Sequence, residues 1–242
     1  MLTNKLKRLF ELILNSSYKK SEPLEVLKRW RTITDKLVSE KFFAQAGLYN
    51  VWKNYPGKRD RQIVVVQCLQ NVIAKQMAGI VAEFGCFKGH TAIQMVHAME
   101  KLGDTSKLFL FDSFQGVPDS NSPDDWHWKK GDLTVEYSEV KDRFAPYKNI
   151  EVVKGYFKDV LPQYDHLKIK FAHVDVDLYV SIKEVNTWLL SRMITGGIII
   201  YDDYGFETCP GALKAVDEDF SQRLDYYKWS LPTGQFMALK IP

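Results

Sequence analysis

The chain has 242 residues, 45% hydrophobic and 26% charged, enough to bury a full core but rather little for two large domains. Its net charge of +3 is too small to mark a nucleic-acid binder, its apolar content is too high for disorder, and no run of about 20 apolar residues offers a membrane span. That small total hides a split, +8 over residues 1–61 and −5 over the remainder.

In chain order, the first 78 residues show helical spacing. Leu6, Leu9, Phe10 and Ile13 recur every three or four positions, and Val64, Cys68, Leu69 and Val72 repeat the pattern before Met77. Residues 1–78 therefore read as a helical arm. Its basic side chains could meet an anionic membrane surface, but an apolar stripe of this kind more often packs on its own domain; a homodimer contact is the further expectation. Lys5, Lys7, Arg8 and Glu11 interrupt the leucines where a signal peptide would be unbroken, so a cytoplasmic location is expected. Cys68, Cys86 and Cys209 are odd in number and lack ligand spacing, which supports neither disulfides nor a zinc site.

From Gly79 onward, apolar runs bounded by glycines and acidic residues alternate with helical patterns, predicting an α/β domain over 79–242 with a mostly parallel sheet. Strands are predicted at 80–84, 107–112, 150–154, 169–175 and 198–202. Helices are predicted at 90–102, 178–193 and 212–224, with Gly103 and Gly196 ending the first two. The runs 226–231 and 235–241, joined by Pro232-Thr233-Gly234, predict a hairpin and hence an antiparallel last strand. The linker 113–149 is long and carries Asp119, Asp124, Asp125, Trp126, His127 and Trp128. It reads as a substrate lid, with Trp126 and Trp128 as the groups that repay its ordering.

The chemistry starts at Glu83-Phe-Gly-Cys-Phe-Lys-Gly89, a strand end opening a helix. Gly85 and Gly89 do not complete a dinucleotide fingerprint, and Phe87 fills the space between them, so a nicotinamide cofactor is disfavoured. S-adenosylmethionine needs a close turn rather than a phosphate cradle, and Glu83 is a candidate for its charged methionyl end. Asp112 follows Gly85 by 27 residues at the next strand end, where a carboxylate can accept both ribose hydroxyls. Tyr156 and Phe157, after the third strand, offer an adenine wall or plain core packing.

Asp175 and Asp177 end the fourth strand, and Asp202 and Asp203 end the fifth. Neighbouring strands would bring these carboxylates together at the carboxyl edge of the sheet, where like charges require a proton or a cation. All-oxygen ligation suits magnesium, manganese or calcium. Asp177, just before a predicted helix, fits a capping role best. Of the alternative bases His173, His127 and His90, His173 lies inside a strand and reads as a satisfied core histidine.

These segments, with Asp112-Ser-Phe-Gln-Gly-Val-Pro118, Lys154-Gly-Tyr-Phe-Lys-Asp-Val-Leu-Pro162, Asp175-Val-Asp-Leu-Tyr179, Asp202-Asp-Tyr-Gly205 and Cys209-Pro-Gly-Ala-Leu-Lys-Ala-Val-Asp217, resemble the macrocin O-methyltransferase family in order and kind. The resemblance implies a class I methyltransferase Rossmann-like fold, S-adenosylmethionine as donor, and Mg2+- (or Mn2+-) dependent methylation of a hydroxyl, often on a deoxysugar. By the same resemblance Asp175, Asp202 and Asp203 bind the metal, Asp175 is also the catalytic base, and Glu83, Gly85, Asp112 and Ser113 belong to the cofactor site. Gly89, Tyr156 and Phe157 join that site on the reading above. The expected acceptor is a small molecule bearing a sugar vicinal diol. A catechol-like diol and a non-catalytic nucleoside-binding protein are the rival readings.

Overall fold

The computed structural model describes residues 59–242; the greater part of the predicted arm, including Leu6, Leu9, Phe10 and Ile13, lies outside the described residues. Helix α1 (Arg59–Ala74) leads into β1 (Ile80–Phe84), α2 (His90–Lys101), β2 (Leu108–Asp112), α3 (Tyr137–Phe144), β3 (Ile150–Lys154) and the short α4 (Phe157–Val160). Then follow β4 (Ile169–Val174), α5 (Tyr179–Leu189), β5 (Met193–Tyr201), α6 (Pro210–Phe220) and the hairpin β6 (Tyr226–Ser230) and β7 (Phe236–Lys240).

The sheet order is β3-β2-β1-β4-β5-β7-β6. The first five strands are mutually parallel, and β7 enters antiparallel to both β5 and β6. This is the mostly parallel sheet with an antiparallel C-terminal strand that the sequence predicts. Side chains alternate along each strand, so the sheet buries both faces. Ala82, Phe84, Phe109, Phe111, Ala172 and Val174 meet α5 and α6 on one side; Val81, Leu108, Leu110 and Phe171 meet α1, α2 and α3 on the other. Phe84 and Phe111 stack at 5.2 Å between ring centres, and Trp188 of α5 closes on both edge-on. Each such ring contributes about 2–3 kcal/mol of burial. Among the described residues no helix is long and apolar enough to cross a membrane.

Val65, Leu69 and Val72 of α1 are buried against the sheet, so the described end of the arm packs its apolar stripe on its own domain. Four predictions need correction. Strand β5 begins at Met193, and its register against β4 jumps from Ile169↔Met193 to Phe171↔Ile198; Gly196, at φ +83°, sits in that bulge and does not end a helix. Helix α5 stops at Leu189 because the Arg192 carbonyl is drawn into the sheet by the Ile169 amide. Helix α6 stops at Phe220, whose carbonyl accepts from the Lys228 ammonium at 2.9 Å. The 113–149 linker contains α3, signalled by the spacing of Tyr137, Val140 and Phe144.

Lys170, buried within β4, binds Asp104 Oδ2 at 2.8 Å. Burial alone would raise the Asp104 carboxyl, but Lys170 and the Ser106 amide hold it below its ordinary value. Asp104→Asn should cost about 1.5–3 kcal/mol, the worth of a hydrogen bond to a charged group, or a Tm fall of roughly 3–12 °C. Because the folded pKa is depressed, this contribution is present above about pH 4 and lost as pH falls through the folded value. Thermal melts of both proteins across that acid range check it: the variant should lose less stability on acidification.

Candidate active site

The chain runs outward from β1 through β2 to β3, then crosses back to β4 on the far side of β1. This switch of direction opens a crevice above the carboxyl ends of β1 and β4. Gly85 lies at its floor. The Gly85 amide donates to Phe111 O at 2.9 Å, and the Asp175 amide donates to Phe84 O at 2.9 Å, tying three strand ends together. Gly85 adopts φ +79°, and a Cβ there would overlap the Asp175 carbonyl, whose carbon would stand 2.8 Å away. Only glycine lets the two strand ends approach so closely.

Asp112 is the anchor of the next loop. Its two carboxylate oxygens each accept a backbone amide at 2.8 Å, Oδ2 from Phe87 and Oδ1 from Phe114. Both phenylalanines are left-handed, at φ +46° and +56°, a strained conformation for large side chains that the two bonds compensate. Burial pushes the Asp112 carboxyl up and the two amides oppose it. A carboxylate has about four lone-pair sites, so Asp112 can accept ligand hydroxyls beside these amides. Ser113 is turned inward, its hydroxyl donating to Gly116 O at 2.8 Å and accepting from the Gln115 amide at 3.0 Å.

One cavity of about 360 Å3 unites both halves of the predicted site. Gly85, Asp112, Ser113, Tyr156 and Phe157 line it together with Asp175, Asp202 and Asp203. Its size suits a small-molecule ligand. Glu83 and Gly89 do not line it. Glu83 points to the α1/α2 face of β1, where its carboxylate binds His173 Nδ1 at 2.9 Å. Gly89 serves packing: it adopts φ +73° before α2, and a Cβ would come within 2.6 Å of the Phe144 ring.

The carboxylates are held unequally. Asp202 is buried and held by three side chains: Oδ2 pairs with Arg61, and Oδ1 accepts from Gln235 at 2.7 Å and faces His173 Nε2 at 3.4 Å. Burial works to raise its pKa, yet His173 and Arg61 outweigh it and keep Asp202 below the usual range. His173 is the counterpart: burial would lower it, but Asp202 and Glu83 carry it up to about 10. Asp175 is driven well above the carboxylate range by burial and by the charges of Asp202 and Asp203.

Asp203 Oδ2 accepts the Asp177 amide at 3.0 Å, and Cys209 donates its thiol proton to Asp177 Oδ1 at 3.5 Å. Asp177 itself sits at φ +58° and does not cap α5; Asp125 of the 113–149 linker accepts the Tyr179 amide at 2.8 Å instead. Capping requires the chain to enter the helix extended from the capping residue, and Leu178 occupies that place.

Ligand atoms of His173, Asp175 and Asp202 fall within 4.8 Å of one another, as do those of Asp177, Asp203 and Cys209. Both His173 nitrogens are committed to carboxylates, and burial pushes the Cys209 thiol up to about 12, so the donors left for a cation are oxygens. Crowded carboxylates of this kind fit Mg2+ or Mn2+ better than zinc.

The sequence reading missed Arg61, which pairs with Asp202, lies 3.7 Å from Asp203 and covers the Phe206 ring at 4.6 Å. A signal was present. Arg61 falls four residues before Val65 on the buried stripe of α1, an odd place for an arginine without a buried partner. Of the two linker tryptophans, Trp128 lines the cavity, whereas Trp126 is 64% exposed.

The sequence profile of the family described as macrocin-O-methyltransferase (TylF) matches residues 57–223. The chain is 30% identical over 158 residues to the 8-demethyl-8-(2,3-dimethoxy-α-L-rhamnosyl)-tetracenomycin-C 4′-O-methyltransferase of Streptomyces olivaceus, covering 60% of each. It is 31% identical over 166 residues to demethyldecarbamoylnovobiocin O-methyltransferase of Streptomyces niveus, covering 63% of this chain and 62% of the relative. The chain thus spans about three-fifths of the length of the curated relatives it matches. Among solved structures, the O-methyltransferase NovP superimposes with a TM-score of 0.66 at 26% identity, covering 75% of this chain and 80% of that one. The calicheamicin methyltransferase CalS11 shares the fold with a TM-score of 0.60 at 20% identity, over 98% and 91% of the two chains.

Proposed function

The chain belongs to the macrocin O-methyltransferase family, and from that premise we propose that it methylates a sugar hydroxyl of a glycosylated small molecule, using S-adenosylmethionine and a divalent cation. The observation that carries this reading is the single cavity in which the Gly85 turn and Asp112 adjoin the Asp175, Asp202 and Asp203 carboxylates. A donor nucleoside on the first group would face an acceptor hydroxyl on the second. The rhamnosyl group in the name of the S. olivaceus relative supports a sugar as acceptor.

On this reading Asp112 takes the ribose hydroxyls, and Tyr156 and Phe157 flank the base. Asp175, Asp202 and Asp203 hold the cation. When bound, S-adenosylmethionine supplies an electrophilic methyl on its sulfonium, and the cation supplies Lewis acidity that lowers the pKa of a coordinated hydroxyl. Asp175 takes the hydroxyl proton on its carboxylate, which a bound cation would hold ionised. Arg61 and His173 fix Asp202, so the cluster is preorganised and oriented before the acceptor arrives. Trp128 and Leu133 wall the cavity and help to exclude water.

Calorimetric titration with S-adenosylhomocysteine, followed by incubation with S-adenosylmethionine and panels of rhamnosides and catechols, tests the proposal. Chelation should lower turnover by at least about a hundredfold, near 2.7 kcal/mol of barrier, and change product affinity by less than about tenfold. Absence of cofactor-product binding would sink the enzyme reading. Methylation of catechols alone would replace the sugar by an aromatic diol.

A further inference from the structure

We propose that Asp125 is the positioning residue of the lid, clamping it to the first turn of α5, and that the bare backbone of Gly211 is what admits the clamp. The consequence for the acceptor rests on the methyltransferase reading; the clamp itself does not.

Helix α5 has no side-chain cap of its own, because Leu178 stands at the capping position. The first turn of any helix presents unpaired amides and partial positive charge. Asp125, 54 residues away in sequence, fills this role from outside: Oδ1 accepts the Tyr179 amide at 2.8 Å and Oδ2 accepts the Ser120 hydroxyl at 2.5 Å. The carboxylate reaches that amide past Gly211, at the start of α6, where a Cβ would overlap Oδ1 and stand 3.0 Å from Tyr179 Cβ. One residue earlier in the lid, Asp124 pairs with Lys214 of α6 at 2.7 Å.

The lid is also closed at its base. The Val117 amide donates to Asp132 O at 2.9 Å and the Gly131 amide to Val117 O at 3.1 Å. Between this base and the Asp125 clamp lies Trp128, which lines the cavity and is packed against the core beneath α5 and α6. Helices α5 and α6 start shortly after Asp175 and Asp203 respectively. The clamp therefore sets the height of Trp128 over the carboxylate end of the cavity by reference to the elements that follow those carboxylates. Release of Asp125 should open the acceptor side and leave the nucleoside side in place.

Hydrogen–deuterium exchange of the lid amides 119–130, measured with S-adenosylhomocysteine calorimetry on the full chain, tests this. Asp125→Ala should accelerate lid exchange by about tenfold or more, with strand amides unchanged, and S-adenosylhomocysteine affinity altered by less than about threefold. Asp125→Asn keeps an acceptor for the Tyr179 amide and should restore lid exchange close to the parent rate, which a general packing role would not do. Gly211→Ala should reproduce Asp125→Ala, and the double variant should exchange no faster than Asp125→Ala alone, because both act on one contact. Unchanged lid exchange in Asp125→Ala, or multiplied effects in the double variant, overturns the proposal. A parent chain that does not bind S-adenosylhomocysteine removes the methyltransferase reading, while the exchange comparison still decides the clamp.

Discussion

Asp175→Asn should lower methyl-transfer turnover by on the order of a thousandfold, near 4 kcal/mol of transition-state stabilisation, while changing S-adenosylhomocysteine affinity by less than about tenfold. Asparagine is isosteric, so it preserves the two backbone features on which the Gly85 turn depends, the Asp175 amide bonded to Phe84 and the carbonyl facing Gly85. What it removes is the proposed proton acceptor and one proposed cation ligand. The same substitution has an unusual stability signature. In the fold the Asp175 carboxyl is raised by burial and by Asp202 and Asp203, whereas in the unfolded chain it ionises near its ordinary value. The folded state therefore binds more protons across that interval, and stability falls as pH rises from about 4 toward the folded value. With chelator present, Asp175→Asn should flatten this decline and melt no lower than the parent at neutral pH. A variant that turns over at the parent rate removes Asp175 from the base role.

Gly85→Ala should abolish measurable S-adenosylhomocysteine binding and destabilise the domain by about 3 kcal/mol or more, from left-handed backbone strain together with steric overlap. For a domain of this size the corresponding Tm fall is roughly 6–12 °C. The overlap is with the Asp175 carbonyl, so relief requires either β1 or the segment after β4 to move. Movement on the β1 side takes Phe87 away from Asp112, the proposed ribose anchor; movement on the other side displaces Asp175, the proposed base. Both halves of the site therefore depend on one missing side chain. Circular dichroism melts and calorimetry check the two parts separately. A variant that binds normally and melts within about 1 kcal/mol of the parent would show that the close approach is dispensable.

Much of the domain was legible before its structure. Strands β1 and β3 are found at the predicted residues because their apolar runs are short, β-branched or aromatic, and bounded by glycine or acidic residues. Asp112, Asp175, Asp202 and Asp203 line one cavity because parallel strands share an end, and each carboxylate stands at or just past such an end. Boundaries failed where tertiary contacts decide them, as at Phe220, held by Lys228, and at the bulge around Gly196. Glu83 illustrates a limit of motif reading. It belongs to the strand-end motif, yet strand alternation turns it to the face opposite Phe84, toward His173.

The sequence by itself determined the order of the strands and of helices α1, α2, α5 and α6, the close glycine turn after β1, and the gathering of carboxylates at one sheet edge. Those follow from local periodicity and chain order. Only the tertiary structure decided that Arg61 would neutralise Asp202 from 141 residues away, that His173 would bridge Glu83 and Asp202, and that Asp125 would cap a helix it does not precede. Each depends on the rotational phase of a helix or loop against the sheet, and that phase is fixed by packing across the core rather than by neighbours along the chain.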